Sequence, residues 1–255
     1  FLETALADGA DMIATGHYAR SVSGQLLTGV DGNKDQSYFL YRVREEALQK
    51  SLMPIGEYEK PAVRELARRF GLATAEKKDS QGICFVGKVG IKEFLQQFVR
   101  PGTPGTGPGA IVDSAGRRIG QHDGALFYTI GQRQGLGVGG GLPYYVIDKD
   151  MEKNEVYVTT DLQDSKLWTR SLTITSLHWI NTTPTDGAAY SVRTRYRAPL
   201  VPCTAHQDGD NWRIDMDEEV RALTPGQSAV LYERVIAEND NHASSYRVVG
   251  GGVVI

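Results

Sequence analysis

At 255 residues the chain is long enough for one large domain or for two to three small ones. Its 40% hydrophobic content, 23% charged content and net charge of −3 are ordinary for a soluble globular protein. No apolar run approaches the length that spans a bilayer, no signal-peptide pattern opens the chain, and two cysteines make no disulfide framework, so the expectation is a reducing cytoplasm and no membrane partner.

The net charge hides an asymmetry. Residues 41–100 hold 12 Lys/Arg against 8 Asp/Glu, whereas residues 201–255 hold 4 against 9. Phosphates sense the local field and not the total, so this composition neither requires nor excludes an RNA partner.

In chain order, Phe1–Ala7 reads as the middle of a helix, without a methionine or a cap. It runs through Gly9-Ala10-Asp11 into the strand-like Met12-Ile13-Ala14. A helix followed at once by a buried strand is the back half of an α/β unit, and an N-terminal portion is expected to be absent from this chain. Thr15-Gly16-His17-Tyr18 then lies at the strand's carboxyl end, where open α/β sheets bind ligands. Gly16 admits close approach to the backbone, and His17 reads either as a phosphate or base contact or as a surface-loop histidine.

An extended piece at 25–30 leads into the turn-rich Asp31-Gly32-Asn33-Lys34-Asp35-Gln36-Ser37. Lys34, Asp35 and Gln36 place three hydrogen-bonding groups on one loop, either for recognition or as plain loop polarity. The aromatic flank Tyr38-Phe39-Leu40-Tyr41 reads as packing. A helix is predicted from Arg44 to Ser51. A second helical unit over 54–71 has Pro61 in its first turn, Gly71 as its C-terminal cap, and Val63, Leu66, Ala67 and Phe70 on one face.

Next comes Lys77-Lys78-Asp79-Ser80-Gln81-Gly82-Ile83-Cys84-Phe85. A thiol is nucleophilic only as thiolate, and neighbouring positive charge lowers its pKa, so Cys84 is a candidate for sulfur chemistry. The alternative is a small buried hydrophobe. A short amphipathic helix over 91–99 follows, and Pro101–Gly109 breaks it as an irregular connection.

Beyond that the character turns to β. Strands are predicted at 110–113, 117–120, 144–149, 154–159, 170–178, 188–197, 200–206, 211–216, 227–232 and 246–255, a spacing that fits barrels or sandwiches. The glycine-rich Gly131–Gly141 lacks the strand-then-helix context of a dinucleotide fingerprint. No metal motif is present. Arg193, Arg195 and Arg197 alternate, which predicts one arginine-bearing strand face beside Tyr196, either turned to solvent or meeting an anion. Cys203 sits in a strand pattern and reads as structural.

Six ordered segments resemble the tRNA-specific 2-thiouridylase family. They are Ala14–Tyr18, Gly32–Leu40, Lys78–Phe85, Tyr128–Arg133, Arg195–Arg197 and Thr224–Val230, and they span nearly the whole chain. The resemblance implies an α/β plus β chain: the tail of an ATP-pyrophosphatase-type α/β domain at 1–90, a small central mostly-β domain at 91–165, and a C-terminal β-barrel at 166–255. It implies sulfur transfer to C2 of the wobble uridine of tRNA, with ATP, and magnesium with it, adenylating the base. It makes Cys84 the persulfide carrier, supplied by an upstream sulfur-relay donor protein, and places Gly16 near ATP. It places His17, Lys34, Asp35, Gln36, Arg195, Tyr196 and Gln227 against tRNA. The family's glycine-rich pyrophosphate loop and first catalytic cysteine are not in this sequence, so this chain alone is expected to be inactive. The competing readings are a tRNA-binding, sulfur-accepting fragment without catalysis, and a thiol-redox protein that uses Cys84.

Overall fold

A computed structural model describes residues 1–77, 91–100, 102–139, 141–235 and 245–255, with side chains from residue 94 onward in the second of these stretches. The Cys84 loop lies outside the described residues. The chain divides into two compact units, one made of residues 1–76, 170–219 and 225–255 and the other of 77–169 with 220–224.

The N-terminal stretch carries α1 (Leu2–Ala7), β1 (Ile13–Ala14), β2 (Ala19–Val22), β3 (Gln25–Thr28), a 3-10 turn at Ser37–Leu40, α2 (Glu45–Gln49), β4 (Ser51–Leu52) and α3 (Lys60–Arg69). β1 and β4 pair in parallel, so the predicted helix at 44–51 is shorter than expected and hands its last residue to a strand. β2 and β3 form a hairpin the sequence did not announce. Its turn residues Ser23 and Gly24 have φ of 50° and 79°, the paired positive values that suit a two-residue hairpin. α3 starts with Pro61 in its first turn and ends before Gly71 at φ 65°, as the sequence predicts. Val63, Leu66 and Ala67 are half-buried on the predicted face, whereas Phe70, just past the helix end, is exposed.

The second unit holds α4 (Ile91–Gln96) and a four-stranded sheet of β5 (Gly109–Asp113), β6 (Arg118–His122), β7 (Tyr145–Asp150) and β8 (Glu155–Thr159), in the order β6-β5-β8-β7. Ile111, Ala125, Tyr128, Leu136, Val146, Val156 and Val158 make its core.

The barrel strands are β9 (Trp168–Trp179), β10 (Ala188–Arg193), β11 (Val201–Asp208), β12 (Asn211–Arg221), β13 (Ser228–Val235) and β14 (Ser245–Val254). They run β13-β10-β11-β12-β9-β14, and β14 pairs back to β13, which closes a six-stranded barrel. The β2–β3 hairpin attaches to β14 through Arg247 opposite Leu27. Closure leaves the six barrel strands without a free edge among themselves. Ala19, Leu26, Tyr38, Tyr41 and Leu48 share one core with Ile180, Val230, Tyr232 and Val248 of the barrel stretch. The N-terminal residues and the barrel therefore fold as one body. No helix among the described residues is long and apolar enough to cross a membrane.

Candidate nucleic-acid interface

The 31–37 loop is held by its own turn residue and by the barrel. Asp31 accepts from the backbone N–H of Asn33 and of Lys34 and, through its other oxygen, from that of Lys60. This is the local capping that favours aspartate in turns. Gln36 clasps Tyr18 from both sides: its Oε1 accepts from the Tyr18 N–H at 3.0 Å, and its own N–H donates to the Tyr18 carbonyl at 2.8 Å. His17 is thereby fixed beside the loop, with Nδ1 3.0 Å from Thr15 Oγ1. Gly16 has open space over its Cα.

Asp35 does not face solvent. It is 2% exposed, and its carboxylate accepts from the N–H groups of Gly29 and Ser37, the Ser37 hydroxyl, and Arg193 Nη1 at 2.6 Å. Arg193 in turn lies over the Tyr232 ring at 5.2 Å. A buried charge persists only when paired and hydrogen-bonded, and these partners meet that condition.

The predicted arginine face is corrected here. β10 ends at Arg193, which turns inward to Asp35, and residues 195–197 form a turn in place of a continued strand. The reversal is sharp: Arg197 has φ 63°, unusual for a residue with a Cβ. Its Nε donates to the Asn33 carbonyl at 2.9 Å, and its guanidinium stacks on the Tyr196 ring at 5.2 Å. Loop 31–37 is thus tied to the end of β10 at Asp35–Arg193 and to turn 195–197 at Asn33–Arg197.

Gln227 follows the Pro225-Gly226 turn, with Gly226 at φ 87°; the Gly226 N–H donates to the Val254 carbonyl and the Gln227 carbonyl accepts from the Val254 N–H, each at 2.8 Å. Its Oε1 accepts from Arg195 Nε at 3.2 Å. Tyr38, Arg195, Tyr196, Gln227 and Ser228 line a shallow cavity of about 380 Å³. The Tyr38 hydroxyl donates to the Ser228 carbonyl at 2.8 Å, and burial, with Tyr41 beside it, pushes its pKa above the usual tyrosine range against the pull of Arg195. It stays neutral and donates.

The aromatic flank divides. Tyr38 and Tyr41 pack as predicted, but Phe39 is 58% exposed and rests on Tyr196, with ring centroids 4.6 Å apart. The contributions of Asn33, Phe39 and Tyr232 escaped the sequence reading, because they depend on contacts made across the fold, which leave no local periodic signal. Cys203 is buried in β11 opposite Tyr190 and Met216. Burial first, then Asp217, push its thiol up to about 12. Among the described residues no group of three or more His, Cys, Asp or Glu side chains could hold a metal ion.

Three family models match in order: the tRNA methyl transferase HUP domain over residues 1–88, the tRNA methyl transferase PRC-barrel domain over 92–160, and the aminomethyltransferase beta-barrel domain over 169–254. The chain is similar to the tRNA-specific 2-thiouridylase MnmA of Salmonella arizonae, 43% identical over 266 residues that cover 100% of this chain and 68% of the relative. It is likewise 44% identical to the enzymes of that name from Salmonella typhi and Citrobacter koseri, with the same coverage.

Proposed function

The chain belongs to the tRNA-specific 2-thiouridylase family, and from that premise we propose that it serves 2-thiouridine formation on tRNA, with loop 31–37, turn 195–197 and Gln227 as its RNA-facing surface. The observation that carries this reading is whole-chain identity of 43–44% to enzymes of that name. The geometry supports it. A cationic turn, an amide, the exposed Phe39 ring and the half-buried Tyr196 ring lie side by side, which is the combination that meets phosphates, base edges and base faces.

Within this surface His17, Lys34, Gln36, Arg195, Tyr196 and Gln227 contact tRNA. Asp35 holds the loop from inside and contributes by positioning. Arg195 is oriented by Gln227 and supplies charge at the cavity's rim.

The chemistry we propose follows from the substrate. The C2 carbonyl of uridine is a poor electrophile. ATP converts its oxygen to an adenylate with loss of pyrophosphate, and the terminal sulfur of a Cys84 persulfide then displaces AMP. Gly16, open above its Cα at the carboxyl end of β1, suits the approach of a nucleotide, with magnesium accompanying the ATP. Lys77 and Lys78 favour the Cys84 thiolate by their charge. Once sulfur is bonded to C2, the S–S bond to Cys84 must be cleaved by a second thiol, which leaves a disulfide. Cys203 cannot serve, being buried with its thiol held protonated. These are the two cysteines of the sequence, so the second thiol comes from outside these 255 residues. A sulfur-relay donor charges Cys84, and this chain alone does not complete turnover.

The test is a titration of the chain with tRNA at several salt concentrations. Binding is expected to weaken steeply with salt, and Arg195→Ala to weaken it further with a log–log slope shallower by about one. Salt-insensitive binding, or an Arg195→Ala variant equal to the parent, would count against this surface.

A further inference from the structure

We propose that Phe39 and Tyr196 form a stacking ledge for the base of an unpaired nucleotide of bound tRNA, so that Phe39 is a direct RNA contact. The proposal rests on the tRNA-binding reading above.

An isolated exposed phenylalanine would carry nothing, since single apolar side chains are common on protein surfaces. Phe39 is not isolated. It is 58% exposed, yet its ring is held by two others: edge-on to Tyr38 at 5.4 Å and tilted 39° against Tyr196 at 4.6 Å. Tyr38 is anchored in turn through its hydroxyl to Ser228. Tyr196 is fixed by the Arg197 guanidinium on its ring, and Arg197 by the Asn33 carbonyl. The ledge therefore spends little conformational entropy when something stacks on it.

The surroundings select the occupant. Tyr38 and Tyr196 also line the cavity that Arg195 and Gln227 share. A nucleotide alone among common ligands offers a π-face for the rings, a phosphate for the arginines and hydrogen-bonding edges for the amide. An apolar peptide would bring no use for two arginines, and a bare anion none for an exposed phenylalanine ring beside a half-buried tyrosine. A paired helix hides its base faces, so the occupant is unpaired.

The experiment compares tRNA with a fully paired RNA duplex of similar charge, binding to the parent chain and to Phe39→Ala, Phe39→Leu and Phe39→Trp. Phe39→Ala should weaken tRNA binding about 5- to 150-fold, the range of one lost base–aromatic stack, with the salt slope unchanged because no phosphate contact is removed. Duplex binding should be unaffected. Phe39→Trp should bind at least as tightly as the parent, and Phe39→Leu, which keeps most of the bulk but has no π-face, about as weakly as Phe39→Ala, an ordering that bulk alone would not produce. If Phe39→Ala binds tRNA like the parent while Arg195→Ala binds weakly, the ledge is wrong and the tRNA-facing surface stands. A loss shared equally by tRNA and duplex also overturns the ledge. If the parent chain fails to bind tRNA at low salt, both ideas fall together.

Discussion

Asp35 and Arg193 show how a residue can matter to an RNA-facing loop without touching RNA. Both are nearly inaccessible, and their 2.6 Å ion pair joins the loop to the last residue of β10. Removing one partner strands a buried charge, so Asp35→Ala should cost about 3–5 kcal/mol in urea unfolding. A loss below about 1 kcal/mol would show the pair to be dispensable. Sequence placed Lys34, Asp35 and Gln36 together on one loop and could not say which pointed inward, because inward direction is set by Arg193, 158 residues away. Cys203 is the complementary case, legible as structural from its strand pattern. Its thiol is raised from 9.0 to about 12, so the folded chain keeps a proton that the unfolded chain has lost over that window. Stability should therefore fall as pH rises from about 9 toward 12. Tyr232, also pushed upward by burial, adds to the fall. Cys203→Ala should flatten part of that decline, measured as the urea midpoint against pH.

At the scale of elements, the β-strand pattern was the most legible part. All ten predicted strands are present, from β5 to β14, because alternation and turn residues are local signals. What was missed ends or begins where tertiary contacts decide. β10 stops at Arg193, and the next three residues turn so that Arg197 can reach Asn33. β2 was not foreseen because Ala19-Arg20-Ser21-Val22 buries an arginine, which donates to the Thr28 carbonyl and the Ser245 hydroxyl. In β14 the run Gly250-Gly251-Gly252 is demanded by closure. A Cβ on Gly251 would sit 2.3 Å from the Ala229 carbonyl oxygen, and one on Gly252 2.5 Å from that of Thr175, so neighbouring strands on both sides leave no room. Gly251→Ala should destabilise the barrel by about 1–3 kcal/mol or more, read as a lower thermal midpoint. An unchanged midpoint would mean the strands relax freely there.

For the whole molecule, the linear division at 1–90, 91–165 and 166–255 follows the chain, whereas packing joins the first stretch to the last. Leu26, Tyr38, Tyr41 and Leu48 complete a core with Tyr232 and Val248. Residues 166–255 alone should therefore be less stable than the same barrel with residues 1–76 in place, by about 1.5–3 kcal/mol for each large side chain uncovered. The contact between the half-buried Trp179 and the buried Trp212 would report it by fluorescence. Equal urea midpoints would contradict a shared core.

The sulfur-transfer role of Cys84 is tested most directly by the 2-thiouridine content of tRNA, measured by mass spectrometry of digests. The cells would lack their own thiouridylase and carry a chimera in which these 255 residues replace the matching 68% of a Salmonella relative. We predict 2-thiouridine with the intact chimera and none with a folded Cys84→Ser variant. Full thiolation with Cys84→Ser would contradict the sulfur-carrier role, and no thiolation from an intact, folded, tRNA-binding chimera would contradict the function itself.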